Sequence, residues 1–385
     1  MIPYGRQNIE QADIDAVVEV LGSDFLTQGP QVPAFEEAIK SHCDVRHAVA
    51  VNSATSALHI ACMALGLGLG DMLWTTPNTF VASANCARYC GADVDFVDID
   101  PLTYNLSAEA LADKLAVAER LGRLPKIIVV VHFSGQSCDM ERIAQLAQKY
   151  GVRVIEDASH AIGATYQNTP VGRCQYSDIC VFSFHPVKIV TTAEGGVATT
   201  QSETLAERMR EARSHGITRD PSRMQGQTEG DWYYQQISLG YNYRMTELQA
   251  ALGVAQMARL ETFVAARNRL AERYDKQLAT LPLILPGRQP QAVSAWHLYV
   301  VQIDDQRTDI SRKALFEHCR ANNIGVNVHY IPVHLQPYYQ KLGFKAGDFP
   351  NAERYYQRAI SIPLFAQLTE AEQGQVVAIL SAGLS

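Results

Sequence analysis

The chain is short of the features that would place it in a membrane, on a nucleic acid or in an oxidising compartment. No apolar run in its 385 residues approaches the length of a bilayer span. Lysine and arginine form no block, and a net charge of -7 has the wrong sign for a reader of phosphate backbones, so neither a membrane nor a nucleic acid is expected as a partner. The eight cysteines, Cys43, Cys62, Cys86, Cys90, Cys138, Cys174, Cys180 and Cys319, include no Cys-x-x-Cys pair, and several lie inside apolar runs. Buried free thiols in a reducing compartment are the simplest account. Cys86 and Cys90 have helical spacing, but without a matching second pair no metal is expected. The first residues, "MIPYGRQNIEQADID", are polar and acidic where a secretory leader would be basic and then apolar, which points to the cytoplasm. Repeats and low-complexity tracts are absent too.

What is present is the composition of an ordinary soluble globular protein, 47% hydrophobic and 19% charged, on a chain longer than one usual domain. Two helical patterns, "IEQADIDAVVEVLGS" and the segment after "FLTQGP", precede a regular alternation. Apolar strands "HAVAVN", "MLWTTP", "DVDFVDID", "KIIVVVHF" and "VRVIEDAS" take turns with amphipathic helices such as "SATSALHIACMALGL" and "MERIAQLAQKYG". Such alternation predicts an α/β fold with a mostly parallel sheet covered on both faces. A large domain is expected over residues 1–240, including the amino-terminal segment. Residues 241–385 then supply a long helical stretch, broken at most near Gly253, and a smaller α/β domain. Its pattern is "WHLYVVQID", "SRKALFEHCRANN" and "IGVNVHYIP".

Four features gather at the ends of these strands, where ligands of open α/β sheets collect. Lys188 lies between the strands "DICVFSF" and "GGVATT", the second entered through Gly195 and Gly196. Most turn lysines are merely solvated, but an amine on rigid strands among apolar neighbours suits a Schiff-base nucleophile. "NSATS", from Asn52 to Ser56, opens a helix after a strand. It reads either as an ordinary cap or as a phosphate cradle of amides and hydroxyls. Asp157 and His160 follow another strand, and the carboxylate could cap the next helix or pair with a protonated ring nitrogen. Phe80 could be core or could stack on a flat cofactor.

In order along the chain, "NSATSALH", "TPNTFVASAN", "IEDASHAIGA", "FSFHPVKIVTTAEGG" and "LGYNYRMTELQAALG" resemble the blocks of the pyridoxal-phosphate-dependent sugar aminotransferases, the DegT/DnrJ/EryC1/StrS type. The resemblance covers nearly the whole chain. It implies the aspartate aminotransferase-like fold (type I of the pyridoxal-phosphate enzymes), pyridoxal 5'-phosphate as cofactor, and a nucleotide-linked keto sugar as substrate. Lys188 would be the Schiff-base lysine, Asp157 the partner of the pyridinium nitrogen and Phe80 the stacking ring. Ala54, Thr55, Ser56 and Ser183 would surround the phosphate, and His160 would lie near the cofactor's hydroxyl. Asn242 would reach the phosphate from the second subunit of a homodimer with shared sites. Where many relatives have Gly-Glu-Gly-Gly, this chain has Ala193, Glu194, Gly195 and Gly196.

Within the family, "HPVK" with "TTAEGG", the early "DFLTQG" and the late "NVHYIP" are similar to members that aminate carbon 4 of UDP-2-acetamido-2,6-dideoxy-β-L-arabino-hex-4-ulose in pseudaminic acid biosynthesis. That likeness would put Tyr4, Asp24, Phe25, Leu26, Thr27, His185, Asn327, Val328, His329 and Tyr330 at the sugar-nucleotide site, with L-glutamate as amino donor. Three rivals are weaker. Sugar dehydratases of this fold tend to carry histidine in place of the lysine. A dinucleotide loop at "GLGLGD" would stand in the wrong order, closing a helix before a strand. A non-catalytic sugar-nucleotide binder would have no use for both Lys188 and Asp157.

Overall fold

In the computed structural model, which describes residues 1–384, seven strands form the central sheet. They are β1 (His47–Val51), β2 (Met72–Thr75), β3 (Asp93–Phe96), β4 (Ile127–Val131), β5 (Arg153–Asp157), β6 (Ile179–Ser183) and β7 (Gly196–Thr200). The order is β1-β7-β6-β5-β4-β2-β3, and only β7 runs antiparallel to its neighbours. The even apolar run of β4 is explained by burial on two sides. Ile127 and Val129 enter the core shared with helices α3 (Ala54–Ala64) and α4 (Ala82–Tyr89). Ile128 and Val130 enter the one shared with α5 (Ala108–Leu121) and α6 (Met140–Tyr150). Helix starts and stops follow local chemistry: Ser107 and Asp139 cap the starts of α5 and α6, and left-handed Gly122 and Gly151 end them.

The amino-terminal helices α1 (Gln11–Leu21) and α2 (Gln31–Cys43) pack on α8 (Glu247–Met257), after α7 (Glu203–Arg213) has covered β1. The expected break at Gly253 lies instead at Ala258 and Arg259, between α8 and α9 (Leu260–Leu278). Gly253 is kept for closeness, since a Cβ there would stand 2.6 Å from the Phe35 ring and 2.9 Å from Thr192 Cγ2. Arg259 leaves the helical path and bonds Glu10 and the buried Asp13, which ties α1 to this corner.

A three-stranded antiparallel sheet forms the carboxy-terminal layer, in the order β8 (Leu283–Ile284), β9 (Tyr299–Ile303), β10 (Ala359–Ile362). Helices α10 (Arg312–Ala321), α11 (Pro350–Arg358) and α12 (Glu370–Gly383) surround it. Two expectations change here. "IGVNVHYIP" is no strand: it makes isolated bridges at Ile324 and Asn327 and then leaves the ladder to carry His329 and Tyr330 to the sheet edge of the large domain. The bridge at Ile324 is to Ile2, whose side chain packs in the carboxy-terminal core, while Tyr4 packs against the large-domain core, so the first residues touch both layers. All eight cysteines are free and all but Cys90 are buried, as expected. Among the described residues no helix is long and apolar enough to cross a membrane.

Candidate active site

The carboxyl ends of β1, β2, β5 and β6 and the start of β7 meet at one edge of the sheet, around a cavity of about 470 Å³. Parallel strands bring their loops to the same edge, so residues far apart in sequence converge. Of the residues expected at the site, Tyr4, Ala54, Thr55, Phe80, Asp157, His160, Ser183, His185, Lys188, His329 and Tyr330 line this cavity.

Lys188 stands on the loop from Phe184 to Gly195. The Phe184 amide donates to the Gly195 carbonyl at 3.0 Å, and the Phe184 carbonyl accepts from the Thr192 amide and the Thr191 hydroxyl, at 2.9 and 3.0 Å. These bonds close the loop at its base. Burial pushes the Lys188 amine down from 10.5 to about 8, while the Asp157 carboxylate pulls the other way. Near neutral pH the amine is therefore a far better nucleophile than an ordinary lysine.

The glycine step has a physical answer. A Cβ on Gly196 would stand 2.5 Å from Ser53 C, Ser53 O and Ala54 N, all backbone atoms. Only glycine lets β7 press against the loop that opens α3. In that loop the Ser53 hydroxyl accepts from the Ser56 amide, and the Ser56 hydroxyl donates to Asn52 Oδ1 at 2.7 Å. Ser53 is thus the helix cap. The amides of Ala54 and Thr55, first in the helix, have no intrahelical acceptor, and with the helix dipole and the nearby Ser183 they form an anion cradle. Ser56 supports the loop and does not face the cavity.

No helix follows Asp157, so its carboxylate caps none. Its Oδ2 accepts from the Ser83 hydroxyl at 2.6 Å, and Oδ1 from the Ser159 amide and hydroxyl at 3.1 and 2.6 Å. Donors on both oxygens aim the carboxylate, as a partner for a protonated ring nitrogen must be. Phe80 is 58% exposed at the cavity wall, so it is not a core residue and leaves ring surface open to the cavity.

Three imidazoles, His160, His297 and His329, complete the wall. Burial, then the neighbouring Lys188, pushes each below the ordinary histidine value, His329 to about 3. They are neutral polar groups at working pH.

Other expected residues lie elsewhere in the single chain. Asp24, Phe25, Leu26 and Thr27 form an exposed loop whose Leu26 carbonyl accepts from the Glu247 amide. Asn242 is exposed, although the carbonyl of its neighbour Tyr243 accepts from the Asn52 amide. Asn327 and Val328 stand behind His329, with Asn327 Nδ2 3.4 Å from His329 Nε2. Sequence reasoning missed Ser83, Ser159, Glu194 and His297. Only Glu194 lay inside a quoted block next to the lysine, where its acidic side chain was a visible signal.

The same residues account for pyridoxal phosphate group by group: a cradle for its phosphate, a platform for its ring, a carboxylate for its nitrogen and an amine for its aldehyde. Comparison with known proteins agrees. Residues 7–381 match the model of the DegT/DnrJ/EryC1/StrS aminotransferase family. The spore coat polysaccharide biosynthesis protein SpsC of Bacillus subtilis is 40% identical over 379 residues, covering 98% of this chain and 95% of SpsC. Among solved structures, Helicobacter pylori PseC, an aminotransferase involved in the biosynthesis of pseudoaminic acid, superposes with a TM-score of 0.90 at 31% identity. It covers 100% of this chain and 99% of its own. A putative sugar aminotransferase of Streptococcus pneumoniae, Spr1654, in its PMP form, gives 0.91 at 28% identity with the same coverage. Matched over nearly its whole length by model, relative and fold, the chain belongs to the DegT/DnrJ/EryC1/StrS aminotransferase family.

Proposed function

We propose that this sugar aminotransferase, with pyridoxal 5'-phosphate as cofactor, moves an amino group from L-glutamate to carbon 4 of a UDP-linked 4-keto-6-deoxy sugar. The sugar of choice is UDP-2-acetamido-2,6-dideoxy-β-L-arabino-hex-4-ulose, and the place of action is the cytoplasm, in pseudaminic acid biosynthesis. The observation that carries the reaction type is the meeting of Lys188, Asp157, Phe80 and the Ser53–Thr55 cradle around one cavity. The likeness to PseC along the entire chain supports the sugar.

Bound there, pyridoxal phosphate supplies an aldehyde that captures amines and a ring that accepts an electron pair from the substrate carbon. The chain's own residues do the rest. The amides of Ala54 and Thr55 would hold the phosphate, and Phe80 would lie against the ring. Asp157 would keep a proton on the ring nitrogen. The Lys188 Nζ, which burial makes far more often neutral than in an ordinary lysine, would stand where it can take a proton from the donor's α-carbon and return it on the other side of the transfer. Keto acid leaves before keto sugar enters, and ping-pong kinetics are expected.

A second reading, amination of another nucleotide-linked keto sugar, is favoured by the 40% identity to SpsC, a spore coat polysaccharide biosynthesis protein. A panel of UDP- and TDP-linked 4-keto sugars assayed with glutamate separates the two. Fastest turnover of the UDP-arabino-hexulose supports the first reading, and its refusal alongside turnover of another sugar supports the second.

A further inference from the structure

Both half-reactions use one cavity, yet no arginine among the described residues lines it. The amino donor brings a carboxylate beside its reacting carbon, whereas the keto sugar is uncharged there. A guanidinium fixed opposite that position would be left as a buried, unpaired charge in the second half-reaction. A neutral donor can serve both.

Tyr330 is held as such a donor. The Ser134 amide donates to His160 Nδ1 at 3.2 Å, so that nitrogen carries no proton. His160 is neutral, and its single proton must therefore be on Nε2, 3.2 Å from the Tyr330 oxygen. The imidazole donates and the phenol oxygen accepts. The phenol's own hydrogen has no acceptor among the described residues and is left for the cavity that Tyr330 lines. Burial, then Asp157 and Tyr4, keeps this phenol protonated. The direction of the relay is built into the backbone. Ser134 sits at φ 60° and Gly135 at φ 101°, and a Cβ on Gly135 would meet the Trp296 amide nitrogen at 2.8 Å and the His160 carbonyl at 2.9 Å. Strain kept at such a place is a mark of function.

We infer that the Ser134 amide, His160 and Tyr330 form a one-way hydrogen-bond relay whose terminal hydroxyl binds a carboxylate oxygen of the amino donor and, in the other half-reaction, an oxygen of the keto sugar. Tyr330 is the group that touches substrate, and His160 positions it. The inference rests on the aminotransferase reading, which wild-type turnover tests separately.

The test is Tyr330→Phe in the cofactor-loaded enzyme. 2-Oxoglutarate cannot react with the aldehyde form, so its dissociation constant, measured by calorimetry, reports carboxylate binding without turnover. It is expected to weaken about 10- to 100-fold, as for loss of a bond to a charged acceptor. The half-reaction with whichever panel sugar the wild type accepts should lose only about 3- to 10-fold in kcat/KM, the cost of a neutral acceptor. The pH titration of the bound cofactor's visible absorbance should stay in place. His160→Gln, whose amide can still donate to the phenol, should keep most of the affinity that His160→Leu loses. Unchanged 2-oxoglutarate affinity in Tyr330→Phe overturns the inference. So does a moved absorbance titration with unchanged affinity, which would assign the phenol to the cofactor.

Discussion

At Lys188 the burial that makes the amine reactive also makes it sensitive to pH. With a pKa of about 8 in place of 10.5, roughly a quarter of the amine is neutral at pH 7.5, against about one part in a thousand for an ordinary lysine. The rate at which cofactor-free protein captures pyridoxal phosphate should rise with pH around a midpoint near 8, followed by stopped-flow absorbance. Stability carries the same signature. Between about 8 and 10.5 the unfolded chain binds the proton that the folded one has lost, so stability of the cofactor-free protein should increase with pH across that window. Lys188→Met should remove this rise in denaturant melts at several pH values, and should abolish turnover. At Asp157 the expected effect is on chemistry: Asp157→Asn keeps the shape but not the charge. The glutamate half-reaction should fall by at least about 100-fold while the cofactor still binds through the cradle. A near-normal rate would reduce the carboxylate to a tether for Ser83 and Ser159. Lys188 and Asp157 were legible because Asp157 ends an apolar strand and Lys188 stands on the short loop between two of them. Ser83 was not, because the bond that gives it a role spans 74 positions and exists only once α4 packs beside β5.

Among the elements, alternation of apolar strands with amphipathic helices was readable because the inner strands of the sheet are buried on two sides and most helices, such as α5 and α6, on one. The stretch from Ile324 to Pro332 was not, since its apolar residues imitate a strand while it serves to carry His329 and Tyr330 to the cavity. Nor did composition show that β10 takes the strand position, beside β9 and bridged to Asn327 through Ser361. The loop between β6 and β7 yields a contrast of two small residues. Gly196→Ala inserts a methyl against backbone that cannot yield, so the cradle must open and cofactor affinity should fall by at least about tenfold, measured by fluorescence titration. Ala193 lies at φ 64°, a region that costs a residue with a Cβ roughly 1–2 kcal/mol. Ala193→Gly relieves that strain but adds chain entropy worth about 0.5–1 kcal/mol in the unfolded state. The balance is a gain of up to about 1.5 kcal/mol in denaturant melts with activity retained, a difference small enough for the fold to carry alanine at this position.

At the scale of the whole molecule, the question is whether one chain makes a complete site. Asn242 is exposed and outside the cavity, and so is the loop from Asp24 to Thr27, where Phe25 and Leu26 are 53% and 50% exposed. Trp232 and Leu239, in the segment leading to Asn242, are each 72% exposed. Exposed large apolar side chains near groups that would complete a site are what a second copy would cover. Yet the peptide next to Asn242 is bonded to Asn52 of its own cradle, so the side chain could serve its own phosphate after a small shift. We propose the first arrangement, a homodimer in which Asn242 completes the neighbour's phosphate site. Mixing inactive Lys188→Ala protein with inactive Asn242→Asp protein, whose added carboxylate repels the phosphate, decides between the two. In a mixed dimer one site then holds both defects and the other holds neither, so random exchange at equal amounts should restore about a quarter of wild-type activity. If Asn242 serves its own chain, every site in the mixture keeps one defect, and activity stays at the level of the parents even after subunit exchange is demonstrated.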